Sequence, residues 1–565
     1  MNEFFGRLKN TPGLALEIGI ASLFANVLAL AAPLFVIQVL NRYVAHGVDA
    51  TLATLTTGVL LAIILEYAFR KIRMRLGQAV SSIPDANNAI TGFNILLKVK
   101  ASALKRIPQG QRQQIVSATS SIEKAYGSGN IGTIFDIPFA LLFVAVLFLL
   151  SPILSGIVIC FTIIVFILGT ISALKLQKDT RSLIQESGTS NALIQSATAE
   201  IDTVRAFNAS SFLSNLWATQ SEKMQSLRCN MEARQNGAQT IIQTISALMS
   251  VFIVATGATL VVAGKLDVGA MIGANILAAR AVMPISRFSQ LGATFAEANA
   301  SIAILKEFAK LPIESNSSSF KPSYKGGLEF RDVSYVLPGA TTPLFESLSL
   351  NIKPGAILVI RGSNGTGKTT LTRLIAGILE PVRGNILADG LDLRQASSDW
   401  WRKQIVYLPQ EPTLLNTSIR ENLTILNAEI NPQLFSRIIT SAGLTNYLDE
   451  SPLGLETQIT DNGRNLSLGI RRRLALARAL TTEGMLVVFD EPTEGMDNDG
   501  VSCIFSTMKD LATRGRTIVV VSHDPKIVRG AHVVIDLNAK PMPKVTERLR
   551  PIKTPPAKGK IYHEQ

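Results

Sequence analysis

Between Ile137 and Leu174 the chain carries no charged side chain, and only the pair Ser151-Pro152 breaks the run. That is too long an apolar stretch for the core of an ordinary soluble domain. A helix needs roughly 20 apolar residues to cross the hydrocarbon core of a bilayer, so the run supplies two crossings. Four further runs follow the same rule. Ile18 to Asn41 is uncharged, and Thr51 to Leu65 leads into the basic cluster Arg70, Lys71, Arg73 and Arg75. Gln235 to Gly264 is uncharged as well, and Val268 to Ile285 contains only Arg280. The expected spans are about 18–41, 50–70, 134–150, 153–174, 237–263 and 268–286, within a membrane half of residues 1–310.

Basic residues set the orientation. Arg7, Lys9, the cluster at 70–75, and Lys175, Lys178 and Arg181 fall on one side, while the turns near 46–49, 151–152 and 265–267 hold little positive charge. The basic side faces the cytoplasm by the positive-inside rule. The connections 72–133 and 176–235 are then cytoplasmic; being charged and poor in Pro and Gly, they read as helical extensions of the spans. The net charge of +13 could suggest a nucleic-acid partner. Basic loops of a membrane protein account for it without one, and six spans exclude a soluble nucleic-acid enzyme. Arg280 either marks a substrate path, because a charge inside a membrane is costly, or faces water in the inner half of its helix. The three cysteines (Cys160, Cys229, Cys503) lie far apart, which favours neither disulfides nor zinc.

Residues 311–327 are rich in Ser, Pro and Gly and read as a linker. From 328 to about 540, short β-rich runs alternate with helical ones, the pattern of an α/β domain. Residues 541–565 hold Pro and Lys without periodicity and are expected to be a disordered basic tail, solvated or in contact with anionic membrane lipid.

The chemistry concentrates in this second half. Gly362, Ser363, Asn364, Gly365, Thr366, Gly367, Lys368 and Thr369 fit GxxxxGK[ST]; they follow the apolar run Ile357–Ile360 and open a helical run at Thr370. That is the strand–loop–helix context of a phosphate loop, whose backbone N–H groups converge on phosphate oxygens. Lys368 supplies a point charge to the β- and γ-phosphates, and Thr369 a hydroxyl ligand for Mg²⁺. A second apolar run, Met485–Phe489, ends in Asp490-Glu491. Asp490 suits the Mg²⁺ shell and Glu491 could polarise an attacking water; the alternative is a helix N-cap pair. His523 follows the apolar run Thr517–Ser522, and Gln410 follows Ile405–Pro409. Residues at such strand ends face the crevice of an open α/β sheet, where Gln410 could bind Mg²⁺ or orient water. A lone histidine is otherwise usually structural.

These residues, in this order, resemble the ATP-binding cassette of ABC transporters over about residues 328–540. The resemblance assigns Gln410 to the Q-loop, Leu466-Ser467-Leu468-Gly469 to the signature, Asp497 to the D-loop and His523 to the switch histidine. It implies ATP and Mg²⁺ as ligands, with Glu491, His523 and Gln410 as the catalytic group. It also implies a dimer in which Ser467 and Gly469 of one protomer touch the γ-phosphate held by Lys368 of the other. Two positions depart from the family. Leu468 stands where the signature usually has a glycine, adding bulk near phosphate. The aromatic residue that usually stacks on adenine falls at Leu337, or at Tyr335 if the register shifts by two.

The membrane half is similar to type I secretion permease/ATPases in three segments: Asn26 to Arg42, Ile134 to Phe143, and Gly273 to Pro284. The fold so implied is an all-α six-helix transmembrane domain of the exporter type, followed by an α/β P-loop NTPase nucleotide-binding domain. The function so implied is export of an unfolded polypeptide from the cytosol across the bacterial inner membrane. A second protomer, a periplasmic adaptor (membrane fusion) protein and an outer-membrane channel would be its partners. Some relatives carry an N-terminal cysteine-protease-like domain; with no cysteine before Cys160 and a first helix starting near residue 14, that domain is expected to be absent. Export of lipid, drug or small peptide is the alternative cargo class, and a weakly catalytic half of a heterodimer the alternative assembly. Coupling elements are expected near 110–128 and 204–216.

Overall fold

The computed structural model describes residues 2–44, 47, 49–314 and 323–548. The uncharged runs form helices that do not stop where the apolar residues do. In the first part of the chain these are α1 (Asn2–Asn10), α2 (Pro12–Leu28), α3 (Ala31–Gln38), α4 (Asp49–Lys98), α5 (Ala101–Leu104) and α6 (Gln109–Ala125). There follow α7 (Ser128–Leu150), α8 (Pro152–Ala199), α9 (Ile201–Ala206), α10 (Ser210–Val262), α11 (Val268–Gln290) and α12 (Gly292–Phe308). Six helical runs among the described residues are long and apolar enough to cross a membrane. Helices α4, α8 and α10 have 50, 48 and 53 residues. At 1.5 Å per residue they reach about 70–80 Å, more than twice a hydrocarbon core of about 30 Å. The spans expected at 50–70, 153–174 and 237–263 are thus the apolar ends of much longer rods. The first span is broken: α2 ends at Leu28, and α3 passes into a π-helical turn at Val39–Val44.

Close packing in the membrane half uses small residues. Gly269 and Gly273, one turn apart on α11, face α3; a Cβ on Gly269 would lie 2.7 Å from the Ile37 carbonyl oxygen, and one on Gly273 2.3 Å from the Ile37 side chain. Such small-xxx-small pairs let helix backbones approach where no hydrophobic effect drives association.

A buried ion pair ties three helices. Arg73 of α4 reaches Asp136 of α7 through Nη1–Oδ1 at 2.5 Å and Nη2–Oδ2 at 3.2 Å. Asn26 of α2 donates to the same carboxylate at 2.8 Å. Removing one member of a buried pair leaves the other charge uncompensated, at about 3–5 kcal/mol. Asp136→Ala is therefore expected to lower the thermal unfolding midpoint of the detergent-solubilised protein sharply, with Asp136→Leu/Arg73→Met recovering most of the loss.

The chain divides into two compact units, residues 1–99 with 107–311, and residues 100–106 with the chain from 312 onward. The short segment 100–106, which carries α5, thus belongs to the second unit. Lys100 there pairs with Glu380 at 2.7 Å. The two stretches expected to carry coupling elements, 110–128 and 204–216, fall in the first unit.

The second unit has two sheets. One is antiparallel, in the order β2-β1-β4-β5, from β1 (Leu328–Val336), β2 (Pro343–Ile352), β4 (Arg383–Ala388) and β5 (Leu391–Asp392). The other has the order β10-β9-β3-β8-β7-β6. Its strands are β3 (Ile357–Arg361), β6 (Ile405–Leu408), β7 (Leu486–Asp490), β8 (Thr517–Val521), β9 (Val533–Asp536) and β10 (Lys544–Glu547). All neighbours pair in parallel except β9 and β10. The helices are α13 (Lys368–Ile375), α14 (Ser398–Lys403), α15 (Ile419–Thr424), α16 (Pro432–Ser441), α17 (Thr445–Glu450), α18 (Leu468–Leu480), α19 (Asn498–Thr513) and α20 (Pro525–Gly530).

The central strands are apolar throughout because both faces are covered. Leu358, Ile360, Val488 and Val519 join the core that contains Phe330 and Trp401, whereas Val359, Val487, Phe489 and Val520 join the core that contains Leu474 and Ile504.

Two composition-based expectations are corrected. Residues 544–547, placed in a disordered tail, form β10 on the edge of the sheet, with Lys544 opposite Asp536. The rest of that expectation, from 549 onward, lies outside the described residues. Within the expected linker, Tyr324 is packed in the core against Trp401, ring centroids 5.3 Å apart.

Candidate active site

Four strands of the parallel sheet deliver their C-terminal ends to one crevice, the place where ligands bind in open α/β sheets. The loop after β3 runs from Gly362 to Gly367 and turns directly into α13. Gly365 and Gly367 hold φ of 79° and 104°, conformations that cost a side-chain-bearing residue. Gly367 has a second constraint, since a Cβ there would come within 2.6 Å of Leu344. Asn538 fixes the flank of the loop by accepting the Ser363 N–H at 2.8 Å, and the Thr366 hydroxyl donates to the Ser363 carbonyl at 2.8 Å.

Lys368, the first residue of α13, is buried to 8% exposure. Its Nζ donates to the Gly362 carbonyl at 2.8 Å and lies 3.0 Å from His523 Nε2 and 3.4 Å from Glu491 Oε1. An ammonium can only donate, so the contact selects the imidazole tautomer with its proton on Nδ1. His523 Nε2 is also 3.6 Å from Glu491 Oε1. Lysine, glutamate and histidine thus converge on one point. A cavity there is lined by Lys368, Thr369, Thr370, Asn364, Gln410, Glu491 and His523.

Asp490, at the tip of β7, is buried, and its Oδ2 accepts from the Thr372 hydroxyl at 3.0 Å. Burial pushes its carboxyl above the usual range, opposed by the nearby hydroxyls of Thr369 and Thr372 and reinforced by Glu491. Its other oxygen, Oδ1, is buried with no hydrogen-bond partner among the described residues. A buried unpartnered carboxylate oxygen is costly unless something compensates it. Nearby, the Thr369 hydroxyl donates to Gln410 Oε1 at 3.2 Å. Carboxylate, hydroxyl and amide oxygens on neighbouring loops form the hard-oxygen donor set that Mg²⁺ prefers, so the residues present fit that ion.

Glu491 has φ of 47°. A non-glycine residue in the left-handed region is uncommon, and such strain collects at functional sites. The N-cap alternative for Asp490-Glu491 is overturned, because the next helix, α19, starts at Asn498 and is capped by Asp497.

Three of the expected nucleotide contacts lie elsewhere. Ser467 is exposed and caps α18, accepting the Ile470 N–H at 3.3 Å. A Cβ on Gly469 would meet nothing within 4 Å. Asp497 accepts the Arg473 guanidinium at 2.7 and 2.8 Å and the Gly500 N–H at 2.8 Å. Neither Ser467, Gly469 nor Asp497 lines the cavity that holds Lys368. Leu468 lines a separate cavity, which shares only Gln410 and Glu494 with the first.

The two positions offered for the adenine contact are also separated. Tyr335 sits in β1 opposite Phe345 and is 6% exposed in the core, where burial pushes its phenol up. It is not available to a base. Leu337 lines the phosphate-loop cavity, as does Leu344, which the sequence reading did not single out. Also unforeseen were Glu494, which accepts from Gln410 Nε2 at 3.2 Å, and Arg472, which donates to the Gln410 carbonyl at 3.2 Å. Together they hold the Gln410 loop against α18. Their only sequence signal is proximity to motifs: Glu494 stands three residues after Glu491, and Arg472 three after Gly469.

A phosphate-binding loop with a buried lysine, beside an acidic strand tip and a histidine, defines a P-loop nucleotide hydrolase fused to a membrane helix bundle. Comparison with known proteins identifies the family. The family described as ABC transporter matches residues 345–494, and the ABC transporter transmembrane region matches residues 15–285. The chain belongs to the ABC transporters: it is a multi-pass membrane protein that binds ATP and couples its hydrolysis to export. Curated relatives include the leukotoxin export ATP-binding protein LtxB of Aggregatibacter actinomycetemcomitans, 27% identical over 92% of this chain and 74% of its own length. The exotoxin translocation ATP-binding protein PaxB of Pasteurella aerogenes is 28% identical over 92% and 73%. The alpha-hemolysin translocation ATP-binding protein HlyB of Escherichia coli is 27% identical over 92% and 74%. Among solved structures, a bacterial Atm1-family ABC exporter with ATP bound shares the fold, with a TM-score of 0.79 over 94% of each chain at 20% identity.

Proposed function

We propose that this chain is the ATPase of a type I protein secretion system. It moves an unfolded polypeptide out of the cytosol across the bacterial inner membrane, with its nucleotide-binding unit cytoplasmic. A periplasmic adaptor and an outer-membrane channel would complete the path. The reading of the cargo rests on the relatives, which are named for toxin export or translocation and align over 92% of this chain.

The observation that carries the mechanism is the incomplete site. Lys368, Glu491, His523 and Gln410 share one cavity, while Ser467 and Gly469 stand outside it on an open surface. We infer that a second copy supplies its Ser467 and Gly469 to the γ-phosphate.

In this scheme the loop N–H groups and Lys368 hold the phosphates, and Gln410 and His523 position the γ-phosphate and the attacking water. Glu491 accepts that water's proton. Thr369, Gln410 and Asp490 would hold Mg²⁺, which supplies charge neutralisation on the β- and γ-phosphates. Hydrolysis is accelerated mainly by positioning and preorganised charge.

The Atm1-family likeness is compatible with the alternative, export of a lipid, drug or small peptide. Comparing proteins in the growth medium of cells carrying the wild-type chain or Glu491→Gln separates the two. The proposal predicts that one or a few large polypeptides vanish from the medium of the mutant. An unchanged set of secreted proteins, with a lipid or small solute retained instead, would favour the alternative.

A further inference from the structure

Helix α11 leaves one stripe uncovered. Ile272, Ala279, Met283, Arg287 and Gln290 are exposed along it, whereas Gly273, Leu277, Ala281 and Ile285 are buried. Arg280 lies on the margin of this stripe, 26% exposed. It stands twelve residues from the start of the helix at Val268, roughly 18 Å along the axis, and therefore inside a hydrocarbon core of about 30 Å. An arginine at such depth is costly to expose to lipid tails. The stripe consequently suits a water-filled path better than the lipid face.

The charges around it do not balance. A crevice beside the stripe is walled by Asn26, Arg70, Thr133, Asp136, Arg280 and Arg287. Asp136 is occupied by Arg73 and Asn26. Glu66 already accepts from Arg70 at 2.8 Å, so Arg280, at 3.8 Å, shares a carboxylate that another cation has neutralised. Arg287 has no ion pair among the described residues. Two positive charges are left over, one within the membrane and one near its inner edge.

We propose that Arg280 and Arg287 form a cationic binding site for carboxylate side chains of the passing polypeptide, so that acidic segments of the cargo are held at the inner half of the membrane path. This rests on the polypeptide-export reading above and adds the chemical class of segment recognised. A lipid phosphate is the weaker candidate, since Arg280 lies about 12 Å inside the inner edge of the hydrocarbon core on the same arithmetic.

The test uses the full chain in nanodiscs and two fluorescent peptides of equal length, one rich in Asp and Glu, the other its Asn and Gln counterpart. Anisotropy titration at low salt is expected to show the acidic peptide binding about tenfold more tightly. Arg280→Gln/Arg287→Gln should erase that difference while leaving the affinity for the amide peptide unchanged, and Arg280→Lys/Arg287→Lys should keep most of it. The amide peptide also serves as the control for folding of each variant. Equal binding of both peptides to the wild type, or an acidic preference that survives the Gln variant, overturns the proposal and leaves polypeptide export standing. Binding of neither peptide overturns both. A preference that depends on phosphatidylglycerol in the disc and vanishes without it identifies a lipid headgroup instead, which also overturns the proposal.

Discussion

Replacing Glu491 by glutamine is expected to leave ATP bound and stop its turnover. Glutamine keeps the size and planarity of the side chain, so the left-handed backbone at this position and the packing at the tip of β7 are undisturbed. What disappears is the group that accepts a proton from water, and loss of general-base catalysis costs typically 10²–10⁴-fold. The phosphate loop is untouched. Because Glu491 Oε1 lies 3.4 Å from Lys368 Nζ, neutralising it also frees the lysine's charge for the phosphates. Phosphate release should therefore fall by at least about 10²-fold while ATP affinity holds or increases, as measured by a colorimetric assay and a fluorescent-nucleotide titration. Normal hydrolysis in the variant would remove Glu491 from its role.

Lys368→Ala is expected to fail at the preceding step. In the structure the ammonium is shared among the Gly362 carbonyl, His523 and Glu491, and ATP oxygens would compete for the same protons. Hydrogen bonds to charged groups contribute about 1.5–3 kcal/mol each. Losing one or two such bonds corresponds to a fall in ATP affinity of roughly 10- to 10⁴-fold, at 1.36 kcal/mol per factor of ten. The same titration that finds Glu491→Gln unimpaired should find Lys368→Ala weak. Equal affinities for the two variants would place the phosphates somewhere other than against Lys368.

The membrane spans and the phosphate loop were legible because their signals are local. An uncharged run needs no partner to be recognised, and the segment from Gly362 to Thr369 carries its own strand and helix. Contacts made in three dimensions were not. Arg73 and Asp136 stand 63 residues apart, and nothing in either segment announces the other. Tyr335 becomes the stacking position only if the motif register shifts by two residues from Leu337, and the structure turns its ring into the core instead. Its strand has register shifts between Phe330 and Val333 and again before Tyr335, irregularities that a motif count along the sequence does not reveal. Composition misled at β10, where Lys544 and its neighbours pair with β9 despite Pro541 and Pro543 just upstream. Residue order also conceals that the Ser467 segment and Lys368, both in the second unit, do not meet in one cavity.

Mixed dimers of two tagged copies test the shared site most directly. Pairing a Lys368→Ala copy with a Ser467→Arg copy confines both lesions to one composite site and leaves the other whole. Putting both lesions in one copy, opposite a wild-type copy, damages each composite site once. The account predicts measurable ATP hydrolysis in the first arrangement and almost none in the second. The reverse outcome, with activity following the intact copy, would show that each chain closes on its own nucleotide.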